Sequence, residues 1–113
     1  MILLMLLLIK HWYVDFVLQT NEMVKGKAIY GNMDGISHSF QHALFTMLIV
    51  CVYEDPPIAL IVGLFDGITH YHIDWMKMNW GCRDIADPKF WSHLGLDQLA
   101  HQLCYLIIII ALV

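Results

Sequence analysis

This chain is poor in cysteine, charge and basic clusters, and each shortage closes off a class of protein. Its three cysteines, Cys51, Cys82 and Cys104, are odd in number and none is spaced C-x-x-C, which argues against both a disulfide framework and a thiolate zinc site. Cys51 and Cys104 read as inert buried thiols and Cys82 as a loop residue. Charged residues make up only 14% of the chain, and its six lysines and arginines form no basic face, so nucleic acid is not an expected partner. The N-terminal apolar stretch also lacks the marks of a cleavable leader. No positive segment precedes it, and Lys10, His11 and Trp12 follow it where a leader would carry small residues, so it reads as a retained helix.

What the chain has in excess is apolar surface. Hydrophobic residues are 59% of its 113 positions and mean hydropathy is +0.63, outside the usual soluble range and enough for a single domain. The composition predicts an integral membrane protein with the lipid bilayer as its main partner. Four segments approach the roughly 20 residues that a perpendicular span needs: residues 1–20, 36–53, 58–76 and 94–113. Glu54, Asp55, Pro56 and Pro57 force a tight hairpin between the second and third, because two prolines forbid a continuous helix. The expected fold is all-α, an up-down-up-down four-helix bundle in the membrane.

Orientation follows from the bases. Lys10, Lys25, Lys27, Lys77, Arg83 and Lys89 all lie in or beside the two longer connections, whereas the hairpin carries only acids. The positive-inside rule then puts the longer loops in the cytoplasm and both termini in the periplasm of a bacterial inner membrane. Trp12, Trp75, Trp80 and Trp91 fall toward the same side, as an interfacial belt would. Lys10 is expected to snorkel to that surface, although it is deep enough to pair with a site carboxylate.

Within these apolar segments an ionisable pair recurs at a spacing of four: His11 with Asp15, His38 with His42, His70 with Asp74, and Asp97 with His101. Each pair shares one helical face. An Asp at the centre of a membrane helix costs roughly 2.5 to 3.5 kcal/mol on insertion scales, so four such helices need a common reason. Counting the helical rise from the loop side puts His42 about 9 Å deep, His101 about 10 Å, His70 about 9 Å and Asp15 about 8 Å. Those depths place all four pairs at one level. Asp66 extends the face of the third helix, Gln19 that of the first and Tyr105 that of the fourth, while Gly63 and Gly67 form a close-approach step.

Imidazole and carboxylate at i and i+4 are the donors that a divalent ion takes from one helix. The expected ligands are His11, Asp15, His38, His42, Asp66, His70, Asp74, Asp97 and His101, too many for one tetrahedral ion and suited to two. Zinc is the first choice of metal, with iron or manganese as alternatives. His11, His42, His70 and His101 are taken as core ligands. Asp15, Asp74 and Asp97 are taken as carboxylate ligands, and either Asp74 or Asp97 could serve instead as a catalytic base. His72 and His93 read as interfacial histidines, and Lys77, Arg83 and Lys89 as topology determinants or a basic mouth for an anionic substrate.

The strings HWYVDFVLQTNEM, SHSFQHAL, DGITHYHIDWMK and LGLDQLAHQL together resemble a family of small phage and bacterial membrane proteins known as domain of unknown function 3307. The resemblance runs from about His11 to the end. It carries His11, Asp15, Gln19, His38, His42, His70, Asp74, Lys77, Asp97, Gln98 and His101. The aromatic stretch from Asn79 to Trp91 departs from the family pattern. The resemblance implies a short inner-membrane protein and no set activity. The function expected from the residues is a metal-dependent hydrolase acting on a phosphoester or lipid-linked substrate from the cytoplasmic leaflet. The alternatives are a non-catalytic phage membrane protein, acting through a host component, oligomerisation or lysis, and an ion or proton conductor.

Overall fold

The computed structural model describes every residue, Met1–Val113, and every regular element in it is helical. Helix α1 (Ile2–Tyr13) runs into a π-helical turn (Val14–Leu18), a short α2 (Asn21–Gly26) follows, and α3 (Met33–Val50), α4 (Pro56–Trp80) and α5 (Pro88–Leu112) complete the chain. α1 packs against α3 and α5, and α4 against the same two, so the four long helices close a ring. Successive long helices run in opposite directions. The rising series Leu7 and His11 on α1 and Asp15 on the π-helical turn that continues it meets the descending series His38, His42, Thr46, Val50 on α3, and α4 and α5 repeat that relation.

Several boundaries differ from the sequence expectation, for reasons of capping. Asn32 accepts from the backbone N–H groups of Asp34 and Gly35, so α3 starts at Met33 rather than residue 36. Pro88 is the first residue of α5, where its missing N–H costs nothing, so this helix starts before residue 94, and Asp87 caps it through the Lys89 N–H. α4 continues past residue 76 to Trp80, which makes Lys77 a helical residue. The connection after the first helix contains α2, capped by Thr20. Cys51, expected to be buried, lies just beyond the end of α3 in the hairpin and is exposed. Of the four expected spans, one helix, Pro88–Leu112, is long and apolar enough to cross a membrane by length and composition.

The interior is layered. At the hairpin end Leu7, Val50, Ala59, Val62, Tyr105 and Ile108 form an apolar cluster. Above it, Val14 apart, the buried side chains are mostly polar: Lys10, His11, Asp15, His38, His42, Thr46, Asp66, His70, Asp74, Asp97 and His101. Large apolar side chains such as Phe16, Phe40, Leu48, Ile61, Leu64, Ile68, Leu103 and Ile110 point outward instead. The distribution is the reverse of a water-soluble core.

Close approach of α3 and α4 depends on the two glycines. A Cβ at Gly63 would lie 2.7 Å from the Ala43 carbonyl oxygen, and one at Gly67 would lie 2.8 Å from the Ala43 Cβ. Gly63→Ala is therefore expected to lower stability by about 1 to 3 kcal/mol, the usual cost of overpacking. Gly95→Ala, which meets nothing within 4 Å, should be neutral or slightly stabilising. Thermal unfolding of the two variants in one detergent checks the contrast, and equal midpoints would refute the close crossing.

Candidate metal centre

Helical spacing puts each i, i+4 pair on an inward face, and the antiparallel ring brings the four faces to one layer. Five imidazoles meet there. His42 and His70 stack with ring centroids 3.5 Å apart, His70 and His101 at 4.0 Å, and His11 and His38 close on this column from the sides. The Nε2 atoms of His38 and His70 are 3.2 Å from each other. They lie 3.6 and 3.1 Å from Asp74 Oδ2. An ion about 2.0 to 2.1 Å from each of its tetrahedral ligands sets those ligands about 3.4 Å apart, so this triangle has the size of one face of a coordination tetrahedron. Asp15 Oδ1 rests against the same edge, 3.0 Å from His38 Nε2 and 3.5 Å from His70 Nε2.

The other oxygen of Asp74 serves a second group. Asp74 Oδ1 is 3.1 Å from His101 Nε2, which is itself 3.5 Å from Asp97 Oδ1. Three clusters thus have donor atoms close enough to share an ion: His11, Asp15, His42 and His70; His38, His70 and Asp74; and Asp74, Asp97 and His101. Asp74 belongs to the last two, with a different oxygen turned to each.

Hydrogen-bond direction separates these histidines further. Lys10, expected to snorkel outward, is only 4% exposed and points inward, because its position on α1 faces Asp66. It has three N–H groups and three acceptors: Asp66 Oδ2 at 2.6 Å, the Tyr105 hydroxyl oxygen at 3.0 Å and His42 Nδ1 at 3.1 Å. A His42 ring that accepts at Nδ1 carries its proton at Nε2, which lies 2.8 Å from Asp15 Oδ1 and donates to it. The Tyr105 hydroxyl, accepting from Lys10, donates onward to His11 Nδ1 at 2.9 Å. His11 Nε2–H then donates to Gln98 Oε1 at 2.9 Å and faces Asp15 Oδ2 at 3.1 Å. Gln98 is oriented in turn, because its amide nitrogen donates to Asp97 Oδ2 at 3.1 Å. One buried ammonium therefore sets the protons on two rings, of which His42 donates to Asp15 and His11 to Gln98.

The remaining charges do not balance. Asp15, Asp66, Asp74 and Asp97 are buried with two ammonium groups, Lys10 and Lys27, which leaves an excess of two negative charges if the histidines are neutral. Asp66 is matched by Lys10 and by the Thr46 hydroxyl at 2.5 Å, and it lies outside all three donor clusters, unlike its place in the sequence-based ligand list. Lys27 reaches 3.3 Å from Asp74 Oδ2 while donating to Gln19 Oε1 at 3.0 Å. Asp74 Oδ2 and Asp97 Oδ1 are nevertheless buried with no hydrogen-bond donor. Asp74 Oδ2 has the Lys27 ammonium beside it, whereas Asp97 Oδ1 has no ammonium near it; that oxygen and the two uncompensated negative charges of the closed interior favour a further cation, and the imidazole and carboxylate donors fit a divalent metal. His38 and His70 lack the second hydrogen bond at Nδ1 that ligating histidines usually make.

Three contributors escaped sequence reasoning. Lys27 was grouped with the topology-setting bases. It enters the site because the chain folds tightly there: a Cβ on Gly35 would lie 2.9 Å from the Lys27 Cα. Thr46 continues the His38, His42 series by one turn and could have been found from that spacing. The π-helical turn that carries Asp15 has no sequence signal, although such turns are frequent at functional sites. His72 is exposed, bonded to the Tyr30 hydroxyl and the Ile68 carbonyl, and plays no part here. A family model described as Protein of unknown function (DUF3307) matches residues 3–113. No curated protein and no solved structure matches.

Proposed function

We propose that this chain, which belongs to the DUF3307 family, is a membrane-embedded hydrolase built around a pair of divalent metal ions. The observation that carries the reading is the carboxylate of Asp74, whose two oxygens each face a separate histidine-containing cluster. His38, His70 and Asp74 would hold one ion, with Asp15 against it, and Asp74, Asp97 and His101 the other. His42 would orient Asp15 by donating to its Oδ1, while His11 Nε2 stands beside its Oδ2. Zinc suits this mixture of imidazole and carboxylate, and manganese or iron suits it next.

Bound ions would supply Lewis-acid polarisation and a water of lowered pKa. Two of them reverse the charge excess of the interior from negative to positive, which favours an anionic substrate such as a phosphoester. Hydrolysis adds water across the phosphorus–oxygen ester bond: the hydroxyl oxygen joins phosphorus, and the alcohol leaves with a proton. Asp97, which lines the surface pocket described below, would take the proton of the attacking water if it served as the base instead of as a ligand, and Lys27 would neutralise phosphoryl oxygens.

The outward apolar and inward polar pattern supports a bilayer setting. The molecule is 44 Å long, close to the roughly 40 to 45 Å of a bilayer with its headgroups. Helices α3 and α4 carry site residues that depress their hydropathy, although those residues face inward, whereas α1 is apolar but has only 12 residues. The inner-membrane orientation expected from the bases would set the site toward the cytoplasmic leaflet. Proton conduction is the second reading, favoured by the chain of hydrogen bonds from Asp66 through Lys10 and Tyr105 to His11. The apolar cluster of Leu7, Val50, Ala59, Val62 and Ile108 lies across its continuation and argues for a closed site.

Fractionation followed by elemental mass spectrometry of protein purified in detergent tests the proposal. The expected result is recovery from the membrane fraction with about two equivalents of zinc, manganese or iron per chain. Protein free of metal after reconstitution would overturn the metal centre, and recovery from the soluble fraction would overturn the membrane setting.

A further inference from the structure

A pocket of about 440 Å³ lies between α3 and α4 near Tyr30, Phe40 and Leu64 and touches none of the metal donors. A smaller one, of about 250 Å³, opens between the loop-side ends of α4 and α5 and has Asp97 in its wall. Lys77 and His93 also line it, and Met76, Trp80 and Leu96 form part of its apolar side. The Lys77 ammonium makes no ion pair or side-chain hydrogen bond within the chain. His93 Nδ1 accepts the Cys82 backbone N–H at 2.7 Å, which puts the proton of the neutral ring at Nε2 and leaves a donor free. Arg83, by contrast, is committed to the Met78 carbonyl.

We infer that this pocket binds the phosphate of a membrane lipid, with Lys77 and His93 as donors to its oxygens and the acyl chain leaving past Met76 and Leu96 into the bilayer. The inference rests on the metal-centre and membrane readings above and names the substrate class for them. The geometry has three matching parts. A cation and a neutral donor stand together, as phosphate recognition requires. Asp97, whose Oδ1 is buried without a hydrogen-bond partner, belongs as a residue both to this wall and to the donor cluster with Asp74 and His101, so a phosphate seated here would lie next to a residue of the proposed ion site. The volume is below the usual 300 to 1,000 Å³ of a site that encloses a whole ligand. It suits a headgroup whose chains stay outside, where Met76, Trp80 and Leu96 are exposed.

The test uses metal-loaded protein in phosphatidylcholine nanodiscs doped with phosphatidic acid whose acyl chains are brominated, which quenches a nearby indole. Trp80 at the pocket supplies the signal, with Trp80→Phe as the blank. Preferential quenching over brominated phosphatidylcholine is expected, weakened about tenfold in apparent affinity by the double variant Lys77→Ala/His93→Ala and restored in part by Lys77→Arg/His93→Ala. Metal content is measured on the same samples. Wild type with two ions and no preference for phosphatidic acid would overturn the pocket and leave the metal centre standing. Preference that persists without metal would support the pocket and overturn its link to the ions. Competition by inorganic phosphate supports phosphate recognition, whereas binding of inorganic phosphate without any lipid preference overturns the lipid assignment.

Discussion

Asp74→Asn is expected to lose both metal ions together. The substitution removes the negative charge shared by the His38/His70 cluster and the Asp97/His101 cluster, and its amide nitrogen cannot ligate as a carboxylate oxygen does. Removing a residue that merely orients a ligand typically costs 10- to 100-fold in affinity, so loss of the bridging ligand should exceed about 100-fold at each position. Asp97→Asn should differ in kind, because it touches one cluster and would leave one ion bound. Elemental analysis of the two variants separates them. Bound metal also stabilises the folded state, by about 2.7 kcal/mol when free metal is 100 times Kd. A chelator should therefore lower the Tm of the wild type and leave that of Asp74→Asn unchanged. Two retained equivalents in Asp74→Asn would refute the bridged arrangement.

The second large effect is expected at Lys10, which contacts no proposed ion. Its ammonium and the Asp66 carboxylate are both at most 3% exposed in their side chains. Lys10→Met leaves Asp66 as an uncompensated buried charge, a change that costs about 3 to 5 kcal/mol in comparable cases. It also strips a donor from His42 Nδ1 and from the Tyr105 hydroxyl, so the protons that join His42 to Asp15 and His11 to Gln98 are no longer assigned. The double variant Lys10→Met/Asp66→Leu removes both charges and should recover much of the loss, because apolar replacement of a buried pair is often close to neutral. Reversible unfolding in detergent measures the cycle. A loss below about 1 kcal/mol for Lys10→Met would be the mark of a solvated lysine and would contradict the inward position.

How much of this was legible beforehand varies by residue. The pairs His11/Asp15, His38/His42, His70/Asp74 and Asp97/His101 were visible because a helix puts i and i+4 on one face, and their common depth followed from counting rise. The hairpin at Asp55–Pro57 was visible because proline cannot continue a helix. Asp66 looked like a further ligand because it lies one turn from His70, and only its position opposite Lys10 and Thr46 takes it out of the donor clusters. Lys27 was not legible as a site residue, since its entry depends on the turn between α2 and α3.

The sequence by itself determined an all-helical chain with one polar face on each long helix, because periodicity and capping are local properties that residues a turn apart express wherever the helix lies. The tertiary structure decided which way Lys10 turns, which ring nitrogen carries each proton and which oxygen of Asp74 meets which histidine. These depend on contacts between residues 27 to 95 positions apart, such as Asp74 with His101 and Lys10 with Tyr105. No local pattern encodes them, because packing the four helices into one ring is what brings those atoms within hydrogen-bonding range.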